Sequence, residues 1–243
     1  MKIKLSIWHY FIDGIPIYLA RYYWWAYLWR PAIWFFDHQP IINAILFGQY
    51  KRLLKQTLTC LKNRPAGKVL QLTCVYGSLT PALVKHIKPE PLYLIDVSMA
   101  QLKASRNRLN IIDQSDLILM RMNAEKLSFK NNSFMTVIIF FLMHEMPVQA
   151  RHKTLYETLR ILAPGSRLII TEYGEEPRSH WIYRFWPLRK LLLKYEPFLN
   201  GFWCEDLTDV LITQAKQLNK NIKKTEEHKI FNGFYRVLVY EIE

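Results

Sequence analysis

The chain has 243 residues, 51% of them hydrophobic, enough for a sizeable core, which excludes global disorder. Its 33 lysines and arginines against 20 acids leave a net charge of +13, which predicts a polyanionic neighbour, either nucleic acid or an anionic membrane face. Cys60, Cys74 and Cys204 are odd in number and widely spaced; their spacing spells neither a disulfide framework nor a zinc site and points to a reducing cytoplasm.

Residues 1–64 read as an aromatic, basic and mostly helical cap, punctuated by Pro31 and Pro40. Trp8, Trp24, Trp25, Trp29 and Trp34 fall within it, and Tyr22, Tyr23 and Tyr27 crowd beside them between Arg21 and Arg30. Contiguous rings cannot all face a helix core. Tryptophan and tyrosine among cations suit a bilayer headgroup zone better than nucleic acid. No stretch here reaches the ~20 apolar residues of a span, because Arg21, Arg30, Asp37 and Lys51 interrupt. The first residues mimic a signal peptide only weakly, since His9, Asp13 and Pro16 break the apolar run. Leu53, Leu54, Leu58 and Leu61 give residues 49–62 helical spacing, and a turn over 63–68 closes the cap.

Strands and helices then alternate. Strands are predicted over 68–77, 92–98, 116–123, 133–145 and 166–173, with helices over 80–87, 98–110 (Ser98 its expected N-cap) and 149–162, the last closed by Ala163-Pro164-Gly165. Residues 174–203 read as irregular, aromatic and basic, with a helix over 204–219 following. A terminal strand pair turns at Asn232-Gly233. The expected class is α/β: a doubly wound, mostly parallel, seven-stranded Rossmann-like sheet with the helical cap in front.

In such a sheet the ligand lies beyond the carboxyl ends of the strands. The first loop, Thr73, Cys74, Val75, Tyr76, Gly77 and Ser78, keeps a single glycine. Asp96 ends the second strand, where a carboxylate can accept both ribose hydroxyls of an adenosine cofactor. Asn123, followed by Ala124, ends the third, and its amide can read an adenine edge. His144 and Glu145 end the fourth, as candidate base and acid or as metal ligands, and Tyr76, Tyr173 and Glu172 share their rim. The remaining histidines (9, 38, 86, 152, 180, 228) are expected to be structural or solvated.

Leu70, Gly77, Asp96, Asn123-Ala124-Glu125 and Leu162-Ala163-Pro164-Gly165, in this order and spacing, resemble class I S-adenosylmethionine-dependent methyltransferases over about residues 67–173. The resemblance implies S-adenosylmethionine bound within residues 65–243, at the loop 73–78 and at Asp96, Asn123 and Ala124. Gln71 stands where that family has an acid, and Thr73 and Val75 where it has glycines; a valine there crowds the cofactor's methionine end.

The segments 23–28, 45–53, 74–80, 140–147 and 196–203 more narrowly resemble the rhodoquinone-biosynthesis methyltransferase-like proteins, which also carry Val-Tyr-Gly in this loop. That resemblance implies exchange of a ubiquinone ring methoxy for an amino group, with S-adenosylmethionine as amino donor and manganese(II) assisting. His144, Glu145, Tyr76 and Tyr173 are then the candidate catalytic residues, with ubiquinone or a related polyprenyl quinone as substrate. Ser78 replaces an acid of that pattern, and Gly174 a histidine. A conventional methyltransferase of a quinone or lipophilic phenol, and an inactive cofactor-binding membrane scaffold, are the alternatives; an RNA-binding protein rests on charge alone. The aromatic cap, with residues 181–195, is expected to meet an anionic surface, placing the protein peripherally on the inner face of the cytoplasmic membrane, with no nucleic acid as partner.

Overall fold

The computed structural model describes residues 14–110 and 113–243; Trp8, His9, Asp13 and the signal-like start lie outside the described residues. The described chain opens with helices α1 (Ile17–Tyr22), α2 (Trp24–Tyr27), α3 (Arg30–Phe36), α4 (Gln39–Ile45) and α5 (Tyr50–Cys60). Pro31 and Pro40 fall in the first turns of α3 and α4 and begin those helices, because a first-turn residue has no intrahelical N–H bond to lose. On α5, Tyr50, Leu53, Thr57 and Cys60 form one buried face, and Thr57 Oγ1 meets Thr171 Oγ1 of the sheet at 2.7 Å.

Seven strands make one sheet: β1 (Val69–Leu72), β2 (Leu92–Asp96), β3 (Leu117–Arg121), β4 (Phe134–Phe140), β5 (Leu162–Tyr173), β6 (Ile222–Ile230) and β7 (Tyr235–Ile242). Their order is β3-β2-β1-β4-β5-β7-β6, and only β7 runs antiparallel to its neighbours. Helices α6 (Leu79–Ile87), α7 (Met99–Asn107) and α8 (Val148–Ile161) connect the parallel strands. Ser98 caps α7 as its sequence position predicts, its hydroxyl accepting from Gln101 N. The chain order reverses at β1, between β2 and β4, so the crevice of a doubly wound sheet opens beyond the ends of those strands. The α/β class, the seven strands and the terminal hairpin at Asn232-Gly233, both left-handed, agree with the sequence.

Three local expectations are corrected. The fourth strand stops at Phe140, because Phe141 turns left-handed at φ 52° and Met143–Glu145 form a 3-10 turn. The fifth strand begins at Leu162 rather than 166: Leu162 pairs with Phe134, and the register then shifts, so Ala163-Pro164-Gly165 is a bulge within the strand. Residues 174–203 are largely helical, with α9 (Trp181–Arg184), α10 (Trp186–Tyr195) and α11 (Leu199–Trp203) before α12 (Leu207–Gln217). His180 caps α9 and Pro187 sits in the first turn of α10, signals that the aromatic density of this stretch hides. The cap is continuous with the sheet's core: Ile33, Ile42, Leu46, Tyr50 and Leu53 pack in the same apolar cluster as β1, β4 and β5. Among the described residues no helix is long and apolar enough to cross a membrane.

Candidate functional site

The loop after β1 is tied down by side chains from both sides. Asp96 accepts from Cys74 N (2.8 Å) through one oxygen and from Ser98 N (2.7 Å) through the other. Gly77 N donates to Asp37 (3.0 Å), Ser78 N donates to the Tyr50 hydroxyl (2.7 Å), and that hydroxyl donates to Tyr76 O (3.3 Å). Arg108 pairs with Asp37 at 2.6 Å and donates to Val75 O and Gly77 O. Gln71, in the place of an acid, donates to Thr73 O and accepts from Thr80. Thus the amides of Cys74, Gly77 and Ser78 serve the protein rather than face a ligand. Gly77, at φ +82°, is required there: a Cβ would lie 2.7 Å from the Tyr50 hydroxyl. Of the two family glycine positions, Thr73 keeps the left-handed backbone (φ 75°), whereas Val75 is not among the left-handed residues.

A cavity at the ends of β1, β2 and β3 is lined by Thr73, Cys74, Asp96, Asn123 and Ala124, closed by Tyr18 and Leu19 of α1. Five of the sequence-predicted cofactor residues therefore come together. Val75 and Tyr76 line a different cavity, and Gly77 and Ser78 line neither. Asp96 retains lone pairs for ribose hydroxyls beyond its two backbone bonds, and Asn123, whose Oδ1 accepts from Glu125 N at 2.9 Å, keeps its amide donors. The ribose and adenine ends of S-adenosylmethionine fit this set. Burial raises the Asp96 carboxyl to about 6.

A second cavity of about 140 Å³ adjoins the first, and Tyr27, Cys74, Phe141 and Glu145 face both. Tyr23, Trp25, Phe36, Tyr76 and Tyr173 supply its aromatic walls, and His144, Glu145 and Glu196 its polar one. Tyr27 stacks on Tyr76 at 5.8 Å between centroids and donates to Glu145, forming the partition. Tyr76 donates to Ala26 O and accepts from Gln101, and burial holds its hydroxyl above its usual range, so it acts as a wall. Tyr173 packs edge-on to His144, and burial likewise raises its hydroxyl.

Glu172, fully buried, accepts from Met143 N (2.9 Å) and Tyr173 N (2.8 Å) and holds His144 Nδ1 at 2.7 Å. The other ring nitrogen lies 3.6 Å from Glu196, which accepts from the Tyr23 hydroxyl at 3.1 Å. Burial works against a charged imidazole, but Glu172, Glu196 and Glu145 outweigh it and raise His144 to about 9. Burial raises Glu145 to about 8 and raises Glu196 too, with His144 opposing both. Donor atoms of His144, Glu145 and Glu196 lie within 4.8 Å of one another, a nitrogen–oxygen set that fits a divalent cation such as manganese(II). Bound there, such an ion would polarise a carbonyl oxygen in the aromatic cavity.

Tyr23, Tyr27 and Glu196 escape residue-by-residue sequence reasoning, because they reach the site only through tertiary packing. Glu196 opens the segment 196–203 that carries the narrower resemblance, the one signal pointing to it. Gly174 has a packing reason: a Cβ there would lie 1.9 Å from Gly233 O, so the hairpin turn leaves no room for a histidine.

A family model described as the ubiE/COQ5 methyltransferase family matches residues 37–188, and the chain belongs to that family. It is similar to a demethylmenaquinone methyltransferase of Lactiplantibacillus plantarum, 33% identical over 57% of this chain and 59% of the relative. It is also similar to the ubiquinone/menaquinone biosynthesis C-methyltransferase UbiE of Ectopseudomonas mendocina, 31% identical over 56% of this chain and 53% of that one. The chain thus spans 59% and 53% of the lengths of these two relatives. Among solved structures, the methyltransferase domain of bacterial-CtHen1-CN superposes with a TM-score of 0.58 at 15% identity, covering 77% of this chain and 96% of that domain, a likeness of fold.

Two outcomes follow from the loop and its acid. Replacing Thr73 by glycine relieves a β-branched residue held left-handed, a strain of roughly 1–2 kcal/mol that glycine's greater unfolded-state freedom only partly cancels. Thr73→Gly is therefore expected to be neutral or mildly stabilising and Val75→Gly destabilising in urea titrations; the reverse order would place the left-handed residue at Val75. With Asp96 as ribose acceptor, the carboxylate would be present only above its pKa of about 6, so affinity for S-adenosylmethionine is expected to fall by about tenfold in all between pH 8 and pH 5. Calorimetry from pH 5 to 8 checks the trend, and Asp96→Asn should bind weakly without it.

Proposed function

We propose that this member of the ubiE/COQ5 methyltransferase family transfers a methyl group from S-adenosylmethionine to the ring of a polyprenyl quinol or related lipophilic phenol. The observation that carries this reading is the pair of adjoining cavities: one ends in Asp96, Asn123 and Ala124, the other is aromatic, with His144 in its polar wall. S-adenosylmethionine supplies an electrophilic methyl group. The aromatic cavity orients a planar ring by face and edge contacts with Tyr23, Phe36 and Tyr173. The quinol hydroxyl gives up its proton to solvent, and His144, protonated at neutral pH and fixed by Glu172, turns its Nε2 from Glu196 to the resulting ring oxyanion and stabilises the negative charge that makes the ring carbon nucleophilic. Glu145 faces both cavities, and burial raises its carboxyl to about 8, so its ionised form is a stronger base than an ordinary carboxylate and takes up the ring proton displaced by the incoming methyl.

A second reading is the rhodoquinone-type exchange of a ring methoxy for an amino group. The feature favouring it is the loop, whose Cys74, Gly77 and Ser78 amides are already bonded and whose Val75 and Tyr76 wall the aromatic cavity instead. That wall alters the approach to the methionine end of the cofactor.

Membrane access belongs to the same proposal. Tyr23, Trp25 and Tyr27 turn inward, while Trp24, Trp29 and Trp34 are exposed, as are Trp181, Phe185, Trp186 and Leu191. The two segments meet where Trp25 contacts Tyr195 and Tyr23 bonds Glu196. Exposed rings flanked by Arg21, Arg30, Lys190 and Lys194 suit a headgroup layer, from which a quinone ring enters.

Mass spectrometry of products formed from quinone or quinol in liposomes with S-adenosylmethionine tests the chemistry. A product one methyl heavier is expected, with His144→Ala slowing turnover about a hundredfold or more. Loss of methoxy with gain of an amino group would establish the second reading, and an unchanged quinone with intact cofactor binding would sink both. Flotation with vesicles tests access: binding should favour anionic over neutral vesicles and weaken with salt, at roughly 1 kcal/mol per basic residue near the surface. Equal binding to both would remove the anionic face.

A further inference from the structure

Away from both cavities, α5 and the edge strand β6 bring together three chemically different donors. Cys60 Sγ lies 4.0 Å from Glu226 Oε2, and that oxygen lies 2.8 Å from His228 Nε2. All three donor atoms lie within 4.8 Å of one another. Glu226 and His228 are two apart on β6 and so project from the same side of the strand, while Cys60 ends the buried face of α5. The thiol is buried and the two strand side chains are partly exposed, so one side of the cluster faces the protein and the other water.

We propose that Cys60, Glu226 and His228 form a binding site for a zinc-like divalent ion, with water as the fourth ligand, clasping α5 to the edge of the sheet. The separations of 2.8 and 4.0 Å bracket the roughly 3.3–3.8 Å between donors around one tetrahedral ion with bonds of about 2.0–2.3 Å, so a shift of a few tenths of an ångström in each side chain seats the ion. A thiolate, an imidazole and a carboxylate together select zinc or cobalt over magnesium or calcium, which take oxygen sets. On binding, the Cys60 thiol releases its proton to solvent, so thiolate and carboxylate together neutralise the ion's two charges. Arg167 is the nearby cation: it donates to Cys60 O at 3.2 Å and lies 4.0 Å from Glu226 Oε1. Glu241 takes its other arm at 2.7 Å, which offsets that charge. Gln56 approaches the sulfur at 3.7 Å and would steady the thiolate. The clasp joins a helix of the cap to the β6 edge of the sheet.

Cobalt(II) titration of the full chain, followed by absorption, tests the site. The Cys204→Ser variant serves as background, because Cys204 is an exposed thiol. One equivalent of cobalt should give a near-ultraviolet thiolate-to-metal band, which zinc abolishes by displacement. The band distinguishes this site from the sulfur-free set at His144, Glu145 and Glu196, so the result stands apart from the fate of the proposed quinone chemistry. Cys60→Ser should lose the band, and His228→Ala, a change at a partly exposed position, should weaken cobalt binding at least about tenfold. No band, or a band that survives Cys60→Ser, would overturn the proposal. So would His228→Ala binding as tightly as its parent.

Discussion

The short span between Asp37 and Arg108 governs the geometry of the site. Their ion pair joins the cap to α7, and its members also hold Gly77 N, Gly77 O and Val75 O. Tyr50 and Asp96 complete the restraint from α5 and β2. A loop with few glycines cannot fold close around a ligand by its own flexibility, so its shape is imposed from outside. The cost is commitment: amides that in a glycine-rich loop would meet a cofactor are spent on structure. Cap, loop and sheet consequently share one architecture, and the apolar core runs unbroken through all three.

A second constraint concerns charge. His144, Glu145, Glu172 and Glu196 crowd one wall of an otherwise aromatic chamber. Buried carboxylates are tolerated only when their lone pairs are engaged. Glu172 satisfies that through two backbone amides and the His144 ring, Glu196 through Tyr23, and Glu145 through Tyr27. The tyrosines of the cap therefore have a double task, as apolar walls and as donors to acids largely withdrawn from water.

Much of the fold was legible because its signals are local. The alternation of strands and helices, the Ser98 cap and the Asn232-Gly233 turn follow from periodicity and from residues with special backbone preferences. The end of β4 was not, since Phe141 turns left-handed without a glycine or asparagine to announce it, fixed by bonds to Thr171 and Glu172 far along the chain. The helices between 181 and 203 were obscured because aromatic crowding masks the period, though His180 and Pro187 mark their starts. In the site, Asp96, Asn123 and His144 stand at strand ends, where topology alone makes them candidates. Glu196, Tyr23 and Tyr27 reach it from distant parts of the chain, and no local pattern connects them. The contiguous rings of 22–29 are sorted by the short, broken helices α1 and α2, which turn Tyr23, Trp25 and Tyr27 inward and leave Tyr22, Trp24 and Trp29 exposed.

Tyr27 lies at the junction of all these contacts: its carbonyl accepts from the Ser98 hydroxyl at 3.0 Å, its own hydroxyl binds Glu145, and its ring lies on Tyr76. The neighbouring Ala26 carbonyl is bound by Tyr76. The roof of the aromatic cavity is thus latched by residues beside the cavity of Asp96. Lifting it would break the bonds to Ser98, Glu145 and Tyr76 together, so the two adjoining cavities share a single fastening.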